Sequence, residues 1–245
     1  MPAADPSAAG RPPADMPTPG TVLVTGGASG LGAAVVAAVH AAGGTPVCLD
    51  RDKPPVGAAP AALVEADLAD TRATEAAVRR LVESVPLDAV VTCAGTDAVG
   101  ELDEVDGAAW DRVVLVNLLG TAAVVRAALP TLQARRGRVV TVASTLALRA
   151  LPGATAYCAS KFGVLGFSRA LAIEQAGRVG VTTLIPGGMR THFFDDRPDS
   201  YKPAADQALN DPADVARAVL FALLQPVGVE VRELVVTPSV EPSWP

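Results

Sequence analysis

Tyr157 and Lys161, two side chains that could move a proton, lie four residues apart in the 245-residue sequence. On a helix, this spacing places both side chains on one face. A phenol has a pKa of about 10, and lowering that pKa to about 7 requires roughly 4 kcal/mol. An ammonium about 4 Å away supplies an interaction of that order at an effective dielectric constant near 20. The pair therefore predicts an acid/base group whose pKa is adjusted by a lysine.

Two further polar residues favour this interpretation over an ordinary pair on a helix surface. Ser144 ends the apolar run RVVTVAS, where a hydroxyl could hydrogen-bond a substrate oxygen. Asn117 lies within the apolar segment WDRVVLVNLLG. An amide there is costly to bury without a partner, so we expect Asn117 to bind a group such as ordered water. A purely structural polar network is the alternative for Asn117.

A glycine-rich turn follows the β-branched run TVLVT and opens directly into a predicted helix. Its glycines permit a tight turn and a close backbone approach, so that free N–H groups and the positive helix end can meet a pyrophosphate. Simple strand-to-helix turn chemistry is the alternative. The candidate phosphate-binding residues are Gly26, Ser29, Gly30, Leu31 and Gly32.

Asp50 ends the next apolar run, at a spacing that lets a carboxylate accept hydrogen bonds from both adenosine ribose hydroxyls. Because this carboxylate would repel a 2′-phosphate, NAD(H) is favoured over NADP(H). Arg51 weakens this preference, since it could turn towards a phosphate. Asp67, which precedes Leu68, could accept from the adenine amino group or could cap a helix.

Short apolar runs alternate with Ala- and Leu-rich segments along the chain. We predict helices between the strands, including one from about Ala108 to Leu129 and one over 211–224. The predicted strands are 21–25, 45–50, 61–67, 88–93, 138–144, 180–186 and 233–237. The predicted fold class is α/β, a single-domain, Rossmann-like, doubly wound parallel sheet with helices on both faces. Ligands of such sheets bind outside the carboxyl ends of the strands.

Composition narrows the partners and the compartment. Charged residues make up 19% of the chain and the net charge is −6, without a basic run, so we expect no nucleic-acid partner. Every apolar run is interrupted, so we expect no membrane partner. Residues 1–19 lack the features of a secretory signal and predict a disordered tail, which leaves 20–245 as the dinucleotide-binding catalytic domain.

The cysteines and histidines indicate neither disulfides nor a metal. Cys48, Cys93 and Cys158 lie in apolar segments without paired spacing, so a reducing cytoplasm is expected. His40 and His192 are the only histidines, and no zinc site is predicted.

These motifs together resemble the short-chain dehydrogenase/reductase family. The resemblance spans about residues 20–240. The residues that carry it are Thr25-Gly26 with Gly30 and Gly32, Asp67, Cys93-Ala94-Gly95, Asn117, Ser144, Tyr157, Lys161, Pro186-Gly187 and Thr191.

The resemblance implies an oxidoreductase that interconverts a secondary alcohol and a ketone with a nicotinamide cofactor. It implies that Tyr157 is the acid/base and that Lys161 lowers its pKa and holds the nicotinamide ribose. Ser144 would orient the substrate oxygen, and Asn117 would position water for proton relay. The resemblance also adds Cys93, Ala94, Gly95, Pro186, Gly187 and Thr191 to the cofactor site, with Thr191 bonded to the nicotinamide carboxamide.

One motif departs from the family pattern. The family's Asn-Asn-Ala-Gly reads Thr92-Cys93-Ala94-Gly95 here. The missing amide usually supports the sheet centre and the cofactor loop, so local stability and cofactor affinity are in question. A non-catalytic cofactor-binding sensor is an alternative that rests on this change alone, and an NADPH-dependent ketoreductase of a biosynthetic pathway is another.

Aromatic residues are rare, with 2 Trp, 2 Tyr and 5 Phe, yet Phe193, Phe194 and Tyr201 fall in one loop after Gly188. We interpret this loop as a partly aromatic lid over the substrate. The alternative is that the rings only anchor the loop against the core. Gly188 itself is a candidate substrate contact.

Residues before Tyr157 and after Gly95 could complete a substrate pocket. Leu146, Leu148 and Leu151 could form an apolar wall. Asp97 could meet a polar group of the substrate, although a simple loop carboxylate is the plainer interpretation.

Trp244, near the end of the chain, favours docking on a neighbouring subunit, and the resemblance implies a homo-oligomer, a tetramer or a dimer.

Overall fold

A single parallel sheet of seven strands organises the chain in a computed structural model, which describes residues 18–54 and 60–241. The strands are β1 Thr21–Thr25, β2 Thr45–Asp50, β3 Ala62–Glu65, β4 Ala89–Thr92, β5 Arg138–Val142, β6 Gly180–Pro186 and β7 Glu233–Val236. Their spatial order is β3-β2-β1-β4-β5-β6-β7 and every pairing is parallel. All seven predicted strands are confirmed, with ends that shift by one or two residues.

Helices cover both faces of the sheet, as predicted. The helices are α1 Gly30–Ala41, α2 Thr71–Ser84, α3 Gly107–Val114, α4 Thr121–Arg135, α5 Thr155–Glu174 and α6 Pro212–Leu223. On one face, α1 and α6 pack together and bury side chains such as Val35 and Val219 against the sheet. On the other face, α2, α4 and α5 bury side chains such as Val78 and Leu132. The central strands are apolar because both of their faces are covered.

The strand order reverses between β1 and β4, which lie side by side. The chain moves outward from β1 through β2 to β3, and then returns to β4 before it moves the other way. The carboxyl ends of β1 and β4 therefore border a crevice, since their following segments run to opposite sides. Gly26 follows β1 and Cys93 follows β4, so both segments lead into this crevice.

The predicted helix from Ala108 to Leu129 is longer than expected and is interrupted. It comprises α3, a π-helical turn over Leu115–Gly120, and α4, which continues through Pro130. Helix α4 continues past the proline because Leu132 beyond it is fully buried, and this burial offsets the lost hydrogen bond. A π-helical turn inside a longer helix is frequent at functional sites.

The joined helical segment Gly107–Arg135 is also long and apolar enough to cross a membrane by length and composition, and its most apolar 18-residue window has a mean hydropathy of 1.8. In the fold, 56% of its most apolar window is buried. The apolar character of this segment is therefore explained by its packing between the sheet and its neighbouring helices.

The predicted tail at 1–19 falls mostly outside the described residues. Of that range, Thr18 and Pro19 are described, and Pro19 is buried beside Gly44. The folded part thus includes at least these two residues before β1. Trp244 also lies outside the described residues.

Candidate active site

The glycine-rich turn brings the backbone after β1 against the backbone after β4. Gly26 has a φ of +68°, and a Cβ there would lie 2.8 Å from the Cα of Ala94. A Cβ at Gly32 would collide with the carbonyl of Gly26. Ala94 N donates to Thr25 Oγ1 at 3.1 Å. The turn therefore requires glycines at these positions, and it presents its backbone to the crevice.

Ser29 and Gly30 begin α1 at the edge of this turn. Ser29 is the N-cap residue, but its hydroxyl makes no capping hydrogen bond. Gly30 has a φ of +51° and lies next to Thr191, whose Cγ2 would be 3.5 Å from a Cβ at Gly30. Leu31 is buried and anchors the first helical turn in the core. The first N–H groups of α1 are thus left for another acceptor.

Asp50 at the end of β2 supports the glycine-rich turn directly. Its Oδ2 accepts from Ala28 N at 2.9 Å, and its Oδ1 accepts from Asp52 N at 3.0 Å. Arg51 pairs with Asp52 at 3.2 Å, and both of these side chains are exposed. Each Asp50 oxygen retains a second lone pair that could accept a further hydrogen bond.

Asp67 has a partner that the sequence did not indicate. Its carboxylate binds Arg112 of α3 at 3.0 Å and accepts from Ala69 N at 2.9 Å. These bonds hold the pKa of Asp67 below its usual value, with the Ala69 N–H as the largest cause. The predicted alternative, a helix N-cap, is wrong for Asp67, because Asp70 caps α2 through Ala73 N. Leu68 is buried beside Gly120, where it contributes to the core.

The altered motif after β4 places a thiol and an unbonded hydroxyl near the site. Burial raises the pKa of the Cys93 thiol to about 12, although the charge of Lys161 acts in the opposite direction. The thiol is therefore neutral. Thr92 Oγ1 is buried without a hydrogen-bond partner. Gly95 lies between Asn117 and Lys161. A Cβ at Gly95 would be 3.5 Å from Asn117 Oδ1 and 3.7 Å from Lys161 Nζ.

The three residues of the predicted acid/base group do meet in the structure. Ser144 lies two residues after the end of β5 and Tyr157 lies in the first turn of α5. The Ser144 hydroxyl is close enough to the phenol to lower the pKa of Tyr157. Lys161 Nζ lies 5.6 Å from the centroid of the Tyr157 ring and donates to Val142 O at 2.9 Å. The lysine is only 4% exposed. A phenol, a hydroxyl and an amine therefore converge at the carboxyl end of β5.

The electrostatics of this group differ from the expected pattern. Burial raises the pKa of Tyr157 above its ordinary value, and Asp97 raises it further, while the bond from Ser144 and the charge of Arg197 oppose the rise. Burial also lowers the pKa of Lys161 to about 8. The expectation that Lys161 alone brings the phenol near neutrality is therefore not met here, because desolvation is the largest influence on the pKa of Tyr157.

Asn117 hydrogen-bonds to other residues of the protein, whereas the sequence led us to expect ordered water as its partner. Its Oδ1 accepts from Thr96 N at 2.8 Å, and its Nδ2 donates to Thr96 O at 2.9 Å and to Ser160 Oγ at 3.0 Å. Both amide hydrogens are thus committed to protein acceptors. The alternative of a structural polar network describes this side chain, which fixes the loop after β4.

A long loop covers the end of α5 that carries Tyr157. Residues 190–209 leave β6 after Pro186 and Gly187, and the parallel bridge between Met189 and Asn210 closes the loop at its base. Phe193 lies 5.6 Å from the Tyr157 ring, and Phe194 lies 5.5 Å from Phe193 in an edge-to-face contact. The predicted aromatic cluster therefore faces the tyrosine.

Other parts of the 190–209 loop contact the backbone around it. Tyr201 packs on Gly153, where any side chain would collide with its ring. Thr191 Oγ1 accepts from Phe193 N at 3.3 Å. Gly188 N donates to Glu241 Oε2 at 3.3 Å, so the chain after β7 lies over the turn at Gly187 and Gly188.

The predicted apolar wall is only partly formed. Leu146 is half-buried and its N–H donates to Ser144 Oγ at 3.1 Å, which keeps it beside the acid/base group. Leu148 packs against the core residues Ala147 and Val164. Leu151 is 39% exposed. Of the three leucines, Leu146 lies best for a contact at Ser144.

A buried ion pair beside Tyr157 escaped the sequence analysis. Asp97 binds Arg197 of the 190–209 loop, and their side chains are 7% and 19% exposed. Asp97 is thus more than a simple loop carboxylate. Arg197 gave no sequence signal of its own, since nothing local marks a contact between residues 100 positions apart.

Comparisons with known proteins show which family this chain resembles. The family model described as short chain dehydrogenase matches residues 20–202. An uncharacterized oxidoreductase of Staphylococcus aureus is 30% identical over 226 residues, which cover 88% of this chain and 96% of that protein. Glycine betaine reductase of Emericella nidulans is 32% identical over 239 residues, but the match spans only 19% of its length and 90% of this chain.

Solved structures share the fold. An alcohol dehydrogenase of Thermococcus sibiricus, complexed with 5-hydroxy-NADP, superposes with a TM-score of 0.79 at 23% identity, over 89% of this chain and 95% of that one. Ligand-free aldohexose dehydrogenase of Thermoplasma acidophilum superposes with a TM-score of 0.78 at 22% identity, over 89% of this chain and 92% of that one. With this Rossmann-like fold and a family match over most of its length, the chain belongs to the short-chain dehydrogenase/reductase family of oxidoreductases.

Proposed function

We propose that the protein interconverts a secondary alcohol and a ketone with NAD(H), using Tyr157 as the acid/base group. The observation that carries the proposal is the convergence of three side chains: the Ser144 hydroxyl, which is close enough to lower the pKa of Tyr157, the Tyr157 phenol, and Lys161 Nζ at 5.6 Å from the same ring. A phenol beside a hydroxyl can supply one O–H donor each to a single substrate oxygen. Membership of an oxidoreductase family supports the reaction class.

The crevice between β1 and β4 fits a dinucleotide. Gly26 and Gly32 leave no space for side chains, and the N-terminus of α1 offers unpaired N–H groups to a pyrophosphate. Asp50 would accept the ribose hydroxyls, and Thr191 would lie over the phosphate turn. When bound, the nicotinamide ring would accept a hydride in alcohol oxidation and return it in ketone reduction.

Within that arrangement, the protein side chains would manage the proton. Ser144 would hydrogen-bond the substrate oxygen, and Tyr157 would remove the hydroxyl proton as the alcohol becomes a ketone, or return it in the reverse direction. Because burial raises the pKa of Tyr157, the phenol is protonated near neutral pH. That form donates a proton to a ketone oxygen. The charge of Lys161 would stabilise the phenolate needed for oxidation.

The charges near Asp50 support NAD(H) over NADP(H). Asp50 and Asp52 lie at the end of β2, and Arg51 is paired with Asp52. Asp67 is close enough for the charge of Arg51 to act on its pKa. A 2′-phosphate here would therefore be repelled by the carboxylates, and Arg51 would not be free to attract it because it is paired with Asp52.

Cofactor titration followed by one variant tests the proposal. The purified protein is titrated with NADH and with NADPH, and then assayed on a panel of secondary alcohols and ketones through nicotinamide absorbance at about 340 nm. We expect tighter binding of NADH, and turnover on at least one compound. Tighter NADPH binding would favour a ketoreductase, and binding without turnover across the panel would favour a sensor.

Tyr157→Phe should lower turnover by about two to four orders of magnitude while NADH binding persists, since only the proton donor is removed. Tyr201→Phe is the matched control, because its ring still packs on Gly153 and its backbone is unchanged. Near-normal turnover of Tyr157→Phe would show that another group moves the proton.

We also propose that the protein is a homo-oligomer. Large apolar side chains are exposed on neighbouring helical surfaces, with Leu119 at 45%, Phe162 at 45% and Ile173 at 79%. Contact with a second subunit would remove such surfaces from water. Light scattering that gives the mass of one chain across micromolar concentrations would refute this proposal.

A further inference from the structure

The ion pair between Asp97 and Arg197 joins the loop after β4 to the 190–209 loop beside Tyr157. Both side chains are largely withdrawn from water, at 7% and 19% exposure. Burying two charges brings a desolvation cost that their attraction does not always repay, so a buried pair is weak evidence for stability alone. The position of the pair beside Tyr157 therefore suggests a role in the reaction at that residue.

Further contacts fix both partners. Asp97 Oδ1 accepts from Ala98 N at 2.8 Å, and Asn117 binds both backbone groups of the preceding Thr96. The Arg197 guanidinium lies 4.6 Å from the centroid of Phe194 and 5.3 Å from that of Phe193. Its Nη1 also donates to the backbone oxygen of Tyr201 at 3.2 Å. Neither charge can move far while the 190–209 loop keeps this conformation.

Both charges act on the phenol of Tyr157, in opposite directions. The negative charge of Asp97 raises the pKa of Tyr157, and the positive charge of Arg197 lowers it. The other groups that face the tyrosine are Lys161 and Cys158 from its own helix and Ser144 from the end of β5. Cys93 acts on Lys161 from the segment after β4.

We propose that Asp97 and Arg197 are positioning residues for Tyr157: their ion pair fastens the 190–209 loop over the tyrosine and balances the charge around its phenol. While the pair is intact, the two charges act on the phenol in opposite directions, with Asp97 as the larger influence. Loss of either partner leaves a single charge in a poorly solvated site, and the sign of that charge decides the direction of the effect. This inference rests on the proposed role of Tyr157 as the acid/base.

The pH dependence of kcat/KM for alcohol oxidation tests the inference in three variants. Asp97→Asn leaves Arg197 unpaired, so the rising limb of the profile should move to lower pH by roughly one unit. Arg197→Gln leaves Asp97 unpaired, so the rising limb should move to higher pH by a similar amount. The double variant should return close to the wild-type position. Losses of activity without opposed shifts would overturn the inference.

Two controls separate charge from loop structure. Asp199→Asn removes a carboxylate from the same loop, but its side chain is 96% exposed, so solvent should screen its charge and leave the profile unchanged. Arg197→Lys keeps the charge and should keep the profile within a few tenths of a pH unit. If Asp97→Asn does not fold, the contrast between Arg197→Gln and Arg197→Lys still decides the outcome.

A second readout does not depend on turnover. The chain contains 2 Tyr, so in a Tyr201→Phe background the ultraviolet absorbance of tyrosinate reports Tyr157 alone. With NAD bound, its titration should show the same opposed shifts. If Tyr157→Phe is inactive but the shifts are absent, only this inference fails. If Tyr157→Phe retains turnover, the proposed function fails.

Discussion

Thr92 and Thr141 are register partners on β4 and β5, yet only one of their buried hydroxyls has a hydrogen-bond partner. Thr141 Oγ1 lies 2.6 Å from Ser168 Oγ, whereas Thr92 Oγ1 makes no hydrogen bond. Thr141 is 0% exposed and Thr92 is 2% exposed. The buried hydroxyl of Thr141 is therefore satisfied, whereas burial of the Thr92 hydroxyl costs stability. Thr92 is also the first residue of the motif that departs from the family pattern.

Thr92→Val should raise the free energy of unfolding by about 1 kcal/mol, because valine has nearly the same shape and removes an unsatisfied hydroxyl. Thr141→Val, the matched control, should lower the free energy of unfolding by about 1 kcal/mol, since it removes the hydrogen bond between Thr141 and Ser168, which keeps only Val164 O as a partner. Urea unfolding measures both values. A loss of stability in Thr92→Val would mean that the Thr92 hydroxyl has a partner in solution.

Asn117→Ala should lower the free energy of unfolding by about 1–3 kcal/mol, because the backbone groups of Thr96 and the hydroxyl of Ser160 lose their common partner. It should also lower kcat/KM, since Asp97 follows Thr96 directly. Thermal unfolding and steady-state assays measure the two effects. An unchanged stability would contradict the structural role of the amide.

Asp50→Ala should narrow the preference for NADH over NADPH. The change removes the carboxylate that would accept the ribose hydroxyls and repel a 2′-phosphate. Because Asp50 also holds Ala28 N at 2.9 Å, both cofactors should bind less tightly. Asp50→Asn keeps an acceptor for Ala28 and isolates the effect of charge. Fluorescence titration with both cofactors gives the ratio, and an unchanged ratio in both variants would exclude Asp50 from ribose recognition.

Alcohol oxidation should become faster as pH rises from about 6 to 8, because it requires the phenolate of Tyr157. Ketone reduction should not rise over this range, since burial raises the pKa of Tyr157 and the phenol stays protonated. Above about pH 8 the charge of Lys161 is progressively lost, because its pKa is lowered to about 8. Initial rates in both directions test this asymmetry, and parallel pH profiles would contradict it.

The sequence by itself determined the strands, the phosphate turn and the spacing of Tyr157 and Lys161. Each of these depends on neighbouring residues: β-branched runs form buried strands, glycines permit the turn after β1, and four residues make one helical turn. The position of Ser144 at the end of an apolar run was equally local. For this reason the sheet and the grouping of Ser144, Tyr157 and Lys161 could be predicted from the sequence.

Tertiary structure decided which distant side chains meet. Arg112 reaches Asp67, Asn117 binds Thr96, and Arg197 pairs with Asp97 across 100 residues of chain. No local pattern encodes these contacts, because they depend on how the π-helical turn and the 190–209 loop pack over the carboxyl ends of the strands. The pKa of Tyr157 was decided at the same level, since burial and the surrounding charges act through space and not along the sequence.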